Sequence, residues 1–264
     1  MNQILIPIYI IGGMGILFGA LLGVASKIFE VKTDERVPKI VDVLPGANCG
    51  GCGFAGCSAY ASALVKGGVR TNMCPVGGEA TAEKIAEILG VESVQQSEKM
   101  VARVLCNGSP DKAVQKYVFD GPADCHSAAR LGGGEKMCPY GCLGFGSCVA
   151  VCKFDAISIQ NGVAVVDIEK CVACEACAKE CPKNIIKILP AKSKYTITCR
   201  SVEKGKITRR DCAVGCIGCG ICAKNCPQEA IVIKDNVAVI DPSKCVNCGI
   251  CESKCPQHAI NKVG

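Results

Sequence analysis

The 264-residue sequence contains no tryptophan, only 2 histidines, and aromatic residues at 4%. A chain this poor in large side chains cannot fill one extensive apolar core. There is no glycine-rich phosphate loop, no dinucleotide fingerprint and no flavin or nucleophile motif. Gly132-Gly133-Gly134 reads as a flexible turn, and His126 and His258 read as surface or packing residues. The chain is therefore expected to complete no two-electron chemistry alone, and it contains no full active site.

Cysteine is abundant, with 24 residues in the chain. Such richness has three physical uses: disulfides, zinc sites or iron–sulfur clusters. Length alone suggests one or two domains. The cysteine grouping suggests more, each small enough to need a covalent or metal staple.

Ile4 to Ser26 is uncharged and mostly apolar (ILIPIYIIGGMGILFGALLGVAS), 23 residues in which Pro7 lies near the start. That length spans a bilayer as a helix. Lys27, Lys32, Arg36 and Lys39 follow it and nothing basic precedes it. The asymmetry predicts an anchor with the rest of the chain on the cytoplasmic side of the cell (inner) membrane. A cleaved signal peptide would need a basic leading segment and a shorter apolar core. Gly15, Gly19 and Gly23 fall on one helix face, where small residues let a second membrane helix approach.

After the anchor, the cysteine spacing separates the three uses. Cys49, Cys52, Cys57 and Cys74 are spaced C-x2-C-x4-C-x16-C among glycines. Glycine lets backbone pass tightly around a bulky group, and this asymmetric loop is not a paired zinc-ribbon spacing. The pattern predicts a [4Fe–4S] site. One helix is expected from about Cys57 to Gly67-Gly68, and a second (TAEKIAEIL) ending at Gly90. The stretch resembles the small four-iron domain of corrinoid iron–sulfur proteins and of the B subunit of the Rnf complex.

An internal repeat with a 74-residue offset covers the C-terminal half. Cys152, Cys171, Cys174, Cys177 and Cys181 align with Cys226, Cys245, Cys248, Cys251 and Cys255. Apolar alternation flanks Asn161-Gly162 in one copy and Asp235-Asn236 in the other, predicting a hairpin in each. The C-x2-C-x2-C-x3-C-P run is the bacterial two-cluster ferredoxin signature, in which the fourth cysteine ligates the other cluster. In the second unit this groups Cys216, Cys219, Cys222 and Cys255, and separately Cys226, Cys245, Cys248 and Cys251. In the first, Cys171, Cys174, Cys177 and Cys152 form one set by analogy, and Cys138, Cys142, Cys148 and Cys181 the other.

The first unit departs from the signature. Its leading cysteines are spaced Cys138-x3-Cys142-x5-Cys148-x3-Cys152, and Lys153 stands where proline is usual. The alignment pairs Cys138 with Cys212 and Cys142 with Cys216, so Cys212 rivals Cys219 as a ligand; the regular spacing favours Cys219. Cys106, Cys125, Cys199 and Cys212 remain. Four cysteines make a sixth site, two disulfides or free thiols; disulfides are disfavoured on the cytoplasmic side. The expectation is thus five [4Fe–4S] clusters, with these four residues as candidates for a sixth.

The formal charge of +6 counts every cysteine as neutral. With about two negative charges on each four-thiolate cluster, five clusters bring the chain to about −4, and nucleic-acid binding is not expected. Residues 192–210 carry Lys192, Lys194, Arg200, Lys204, Lys206, Arg209 and Arg210 against Glu203 alone. That strip is either a solvated linker or a surface that steers an acidic redox partner.

The order of anchor, C-x2-C-x4-C-x16-C module and tandem ferredoxin units closely resembles the B subunit of the Rnf complex over essentially the whole chain. The resemblance implies a membrane-bound subunit of an ion-translocating ferredoxin:NAD+ oxidoreductase. It would accept electrons from soluble ferredoxin and pass them to integral-membrane and flavin- or NAD-binding subunits. The expected fold is α+β: residues 1–28 as a single transmembrane helix, 29–44 a linker and 45–90 a small four-iron domain. Residues 91–136 connect to ferredoxin unit 1 (137–190), and 191–211 form a basic linker to unit 2 (212–264). A stand-alone membrane polyferredoxin and a zinc-bound interaction protein are the rival readings.

Overall fold

The computed structural model describes residues 2–28, 34–92 and 98–263. The first helix, α1 (Asn2–Ile28), is 27 residues long. Its side chains are described over residues 12–25, where Ile16 and Leu22 are 78% and 70% exposed. Among the described residues no helix is long and apolar enough to cross a membrane; much of the expected Ile4–Ser26 anchor lies outside the side chains that are described.

The N-terminal module is three packed helices, α2 (Arg36–Val43), α3 (Cys57–Lys66) and α4 (Gly78–Leu89). Pro38 sits in the first turn of α2, where its missing N–H costs nothing. The α4 helix stops at Gly90, whose φ of 67° is left-handed. Ile40, Tyr60, Leu64 and Ile85 meet at the centre. Residues 29–44, expected as a linker, thus supply a helix whose Ile40 is fully buried.

The first ferredoxin unit is built from β1 (Met100–Val104), α5 (Cys125–Arg130), α6 (Ser147–Ala150), β2 (Ile157–Gln160), β3 (Val163–Val166), α7 (Ala176–Glu180) and β4 (Ile186–Pro190). The second follows with β5 (Tyr195–Ile197), α8 (Gly205–Asp211), α9 (Ile221–Lys224), β6 (Ile231–Lys234), β7 (Val237–Ile240), α10 (Ile250–Ser253) and β8 (Ile260–Lys262). The two expected hairpins form. Strand β2 pairs with β3 across Asn161-Gly162, and β6 with β7 across Asp235-Asn236. All four turn residues have positive φ, as a tight two-residue turn requires.

Two further pairings are long-range. Strand β1 runs antiparallel to β4 with Val104 opposite Ile186, and β5 runs antiparallel to β8 with Ile197 opposite Ile260. The segments 91–136 and 191–211, expected as connections, therefore each lend a strand to a ferredoxin unit. Among the described residues every sheet has two strands, a size that is marginal by itself in water. Cysteines occupy the cores around them.

Candidate metal centres: six cysteine quartets

All 24 cysteines gather into six sets of four. Cys49, Cys52, Cys57 and Cys74 line one recess under Leu44, Tyr60 and Val76. Asn48 shapes this loop: its own φ is 45°, and its Oδ1 accepts the Cys57 N–H at 2.8 Å. Tyr60, 1% exposed, braces it from below. Its hydroxyl donates to the carbonyls of Arg70 and Thr71 and accepts the Met73 N–H. Burial pushes this phenol up to about 12.

In the first ferredoxin unit, the charges of Cys171, Cys174 and Cys152 bear on the Cys177 thiol, grouping those four. Cys125, Cys142, Cys148 and Cys181 line a second recess. In the second unit, Cys216, Cys255 and Cys219 bear on Cys222. Cys226, Cys245, Cys248 and Cys251 line another recess. The sixth set, Cys106, Cys138, Cys199 and Cys212, lines the cavity where the two units meet.

The donor chemistry fits [4Fe–4S] clusters, which take four thiolates each. Backbone amides already point at sulfur. Gly77, Ala102 and Cys142 donate at 3.3 Å to the Sγ atoms of Cys74, Cys171 and Cys106. Ala230, Ala238 and Ala259 donate at 3.4 Å to Cys226, Cys216 and Cys255. Such N–H···S bonds stabilise charge on sulfur and tune potential. Burial, reinforced by neighbouring cysteines, pushes the thiols of Cys148, Cys177 and Cys199 up to about 12 and that of Cys222 up to about 11. Crowded buried thiols of this kind gain a partner for their charge only when metal replaces their protons. Among the described residues, no three His, Cys, Asp or Glu close on a point that would hold a single metal ion.

Three family models match. "Putative Fe-S cluster" covers residues 44–76, "4Fe-4S binding domain" covers 164–187, and "4Fe-4S dicluster domain" covers 215–259. The chain is 46% identical over 245 residues to the B subunit of a Na+-translocating ferredoxin:NAD+ oxidoreductase complex from Acetobacterium woodii, covering 92% of this chain and 73% of that one. It is 42% identical to the B subunit of a proton-translocating ferredoxin:NAD+ oxidoreductase complex from Clostridium ljungdahlii, covering 92% and 86%. Against the B subunit of an ion-translocating oxidoreductase complex from Methanosarcina acetivorans it is also 42% identical, covering 92% and 93%. The chain belongs to the family of Rnf complex B subunits.

Within this B-type subunit, the N-terminal set, both sets of the second unit and the Cys152/Cys171/Cys174/Cys177 set gather as the spacing suggests. Two residues exchange places. Cys138, expected beside Cys142, Cys148 and Cys181, stands with Cys106, Cys199 and Cys212. Cys125, a candidate for a sixth site with Cys106, Cys199 and Cys212, completes the set of Cys142, Cys148 and Cys181. The reason lies at position 145. The repeat partner of Cys219 there is Phe145, so the first unit lacks its middle ligand. Cys125 fills the gap from the start of α5, whose cap Asp124 accepts the Ser127 N–H and the Ser147 hydroxyl, both at 2.8 Å. The Cys125 N–H in turn donates to Ser147 Oγ at 2.9 Å.

The sixth set has approximate two-fold symmetry. Cys106 lies two residues beyond Val104, the end of β1, and Cys199 two beyond Ile197, the end of β5. The Cys142 amide donates to Cys106, and the Cys216 amide to Cys199. Cys138 and Cys212 are repeat partners, and each carbonyl accepts the N–H three residues on, from Gly141 and Gly215, at 3.3 Å. Each unit thus gives the joint two equivalent cysteines.

The sets follow one another through the molecule. Gly51 lies so close to Cys174 that a Cβ there would be 3.0 Å from its Cα, and Lys153 Nζ donates to Ala47 O at 3.1 Å. These contacts seat the N-terminal set against the first unit. Cys177 acts on Cys148 between the two sets of that unit, the joint links the units, and Cys222 and Cys251 share the second unit's core. The basic strip is partly structural. Lys192 pairs with Glu98 at 2.9 Å and Arg210 with Asp211 at 2.7 Å, while Lys204, Lys206 and Arg209 remain exposed near α8.

Proposed function

We propose that this protein binds six [4Fe–4S] clusters, one per cysteine quartet, and carries single electrons from a soluble ferredoxin to the membrane and flavin- or NAD-binding subunits of its complex. Each bound cluster would supply a one-electron carrier. The protein's part is to hold six such carriers in an unbroken row and to set the environment of each. The observation that carries the reading is the quartet at the joint, because without it the two ferredoxin units would have no thiolate site between them.

Uptake is assigned to the second unit, where Cys219 and Cys248 are exposed, unlike the cysteines of the other quartets. Apolar Ile221 at the start of α9, Val246, and Ile250 at the start of α10 are exposed close to them in sequence. The cations Lys204, Lys206 and Arg209 of the same unit suit an acidic carrier. Delivery is assigned to the N-terminal module, next in sequence to α1. The anchor reading of Ile4–Ser26 rests on its 23 uncharged residues and on the exposed apolar side chains of α1. It makes the protein a single-pass component of the cell membrane with its clusters on the cytoplasmic side.

Iron and acid-labile sulfide counted on anaerobically purified protein test the central claim. Six clusters per chain are expected, and five or fewer would overturn it. For the anchor, the full chain should sediment with membranes and a chain starting at Asp34 should not. For the direction, removing Cys245 or Cys251 should stop reduction by ferredoxin while reduction by a small dye survives.

A further inference from the structure

Lys136 is only 4% exposed and lines the cavity at the joint with Cys106, Cys138, Cys199 and Cys212. Its Nζ donates to the carbonyls of Gly108 and Cys142 at 2.7 Å and of Gly162 at 3.3 Å. Three acceptors match the three donors of an ammonium. Neutral carbonyls satisfy its hydrogen bonds but not its charge. Among the described residues Lys136 makes no salt bridge. The buried acid in the same cavity wall, Asp211, is engaged by Arg210 Nε at 2.7 Å.

A buried cation without a counter-ion is costly. Here the enclosure that holds it also holds four thiols. The Lys136 charge acts on Cys212 of this quartet and on Cys142 of the next, opposing the rise that burial causes in each. The repeat partner of Lys136 is Arg210, whose side chain is 65% exposed. Among the described residues the one fully buried cation of the joint thus comes from the first unit; Arg200 of the second unit lines the same cavity half-buried, and Lys112 also acts on Cys212.

We propose that Lys136 is the counter-charge of the joint, raising the reduction potential of the cluster held by Cys106, Cys138, Cys199 and Cys212 so that an electron in the row rests there. One-electron reduction adds a negative charge to that cluster, and a fixed ammonium in a low-dielectric wall favours the reduced form. Lys136 is a positioning residue: it bonds to backbone carbonyls and acts through its charge. This inference rests on the six-cluster reading.

The test is a dithionite redox titration of the full-length protein followed by electron paramagnetic resonance. The signal missing in Cys106→Ser identifies the cluster of the joint. Lys136→Gln keeps donors for the carbonyls but removes the charge, and Lys136→Arg keeps the charge. Glutamine should lower the equilibrium constant for reducing this cluster at least tenfold, which is about 59 mV for one electron; arginine should leave it within a factor of about three. Equal potentials in wild type and Lys136→Gln, with six clusters retained, overturn the role of Lys136 alone. Should Lys136→Gln fail to assemble, the wild-type titration decides: the Cys106-dependent signal must be the first of the six to be reduced, and a later position overturns the proposal. A wild-type count of five clusters with no Cys106-dependent signal overturns the six-cluster reading and this inference together.

Discussion

The backbone N–H of Cys142 donates to Cys106 Sγ at 3.3 Å, although the two residues belong to different quartets. One peptide group therefore belongs to the ligand loop of one site and also bonds to a ligand sulfur of the next. The same arrangement recurs between Cys216 and Cys199. At both places a main-chain N–H of one ligand loop bonds to a ligand sulfur of the neighbouring site.

Exchanging Cys125 and Cys138 between quartets gives the sharpest test of the ligand sets. Cys125→Ser should cost the first ferredoxin unit one cluster, and Cys138→Ser should cost the joint one instead. Iron counts alone would not separate them, but magnetic coupling within the first unit should vanish only in the former. Phe145→Cys should restore the missing cluster in the Cys125→Ser background, because positions 142, 145 and 148 then have the regular two-residue spacing. Failure of this rescue, with Cys138→Ser emptying the first unit, would return Cys138 to the set expected from spacing.

Loss of the joint should divide the row in two. In Cys106→Ser or Cys199→Ser, four iron atoms should disappear. Reduced ferredoxin should still reduce the second unit rapidly, while the first unit and N-terminal module stay oxidised. Stopped-flow absorbance near 400 nm measures both phases.

Gly51 has no room for a side chain. An added Cβ would lie 2.9 Å from Pro75 Cγ and 3.0 Å from Cys174 Cα. Gly51→Ala should therefore strain the seat of the N-terminal module by about 1–3 kcal/mol. The expected outcome is full iron content with slowed reduction of the N-terminal cluster, detected by rapid-freeze spectroscopy.

Tyr60→Phe removes the hydroxyl that bonds the buried Thr71 carbonyl and the part-buried Arg70 carbonyl and Met73 N–H. Leaving those groups unpaired should cost about 1–3 kcal/mol. The N-terminal cluster should bleach at a lower temperature than in wild type, with the other five unchanged.

The exposed cations near α8 should act on rate and not on cluster content. Lys206→Glu with Arg209→Glu should slow reduction by ferredoxin about tenfold or more at low ionic strength, and the difference should shrink as salt is added. Reduction by dithionite should be unaffected.

Much of this architecture is legible in local spacing. The hairpin turns at Asn161-Gly162 and Asp235-Asn236 announce themselves by residue type, and four quartets follow from cysteines close in sequence plus the ferredoxin crossover. Strand β1 gave no such sign, because its partner β4 lies more than eighty residues away and a five-residue strand has little periodicity. Cys106 carries no spacing rule, since the fold alone brings it to Cys199. One signal was available for Cys125: the first unit has Phe145 where the second has Cys219, so a ligand had to arrive from outside the run.

The paired origin of the joint bears on how such a molecule could have come about. Each half offers the same two sulfurs at the same edge, so two separate copies of a one-unit ancestor could have closed this centre by meeting face to face. Fusion of the two genes would then have made permanent a dimer already held together by its shared metal.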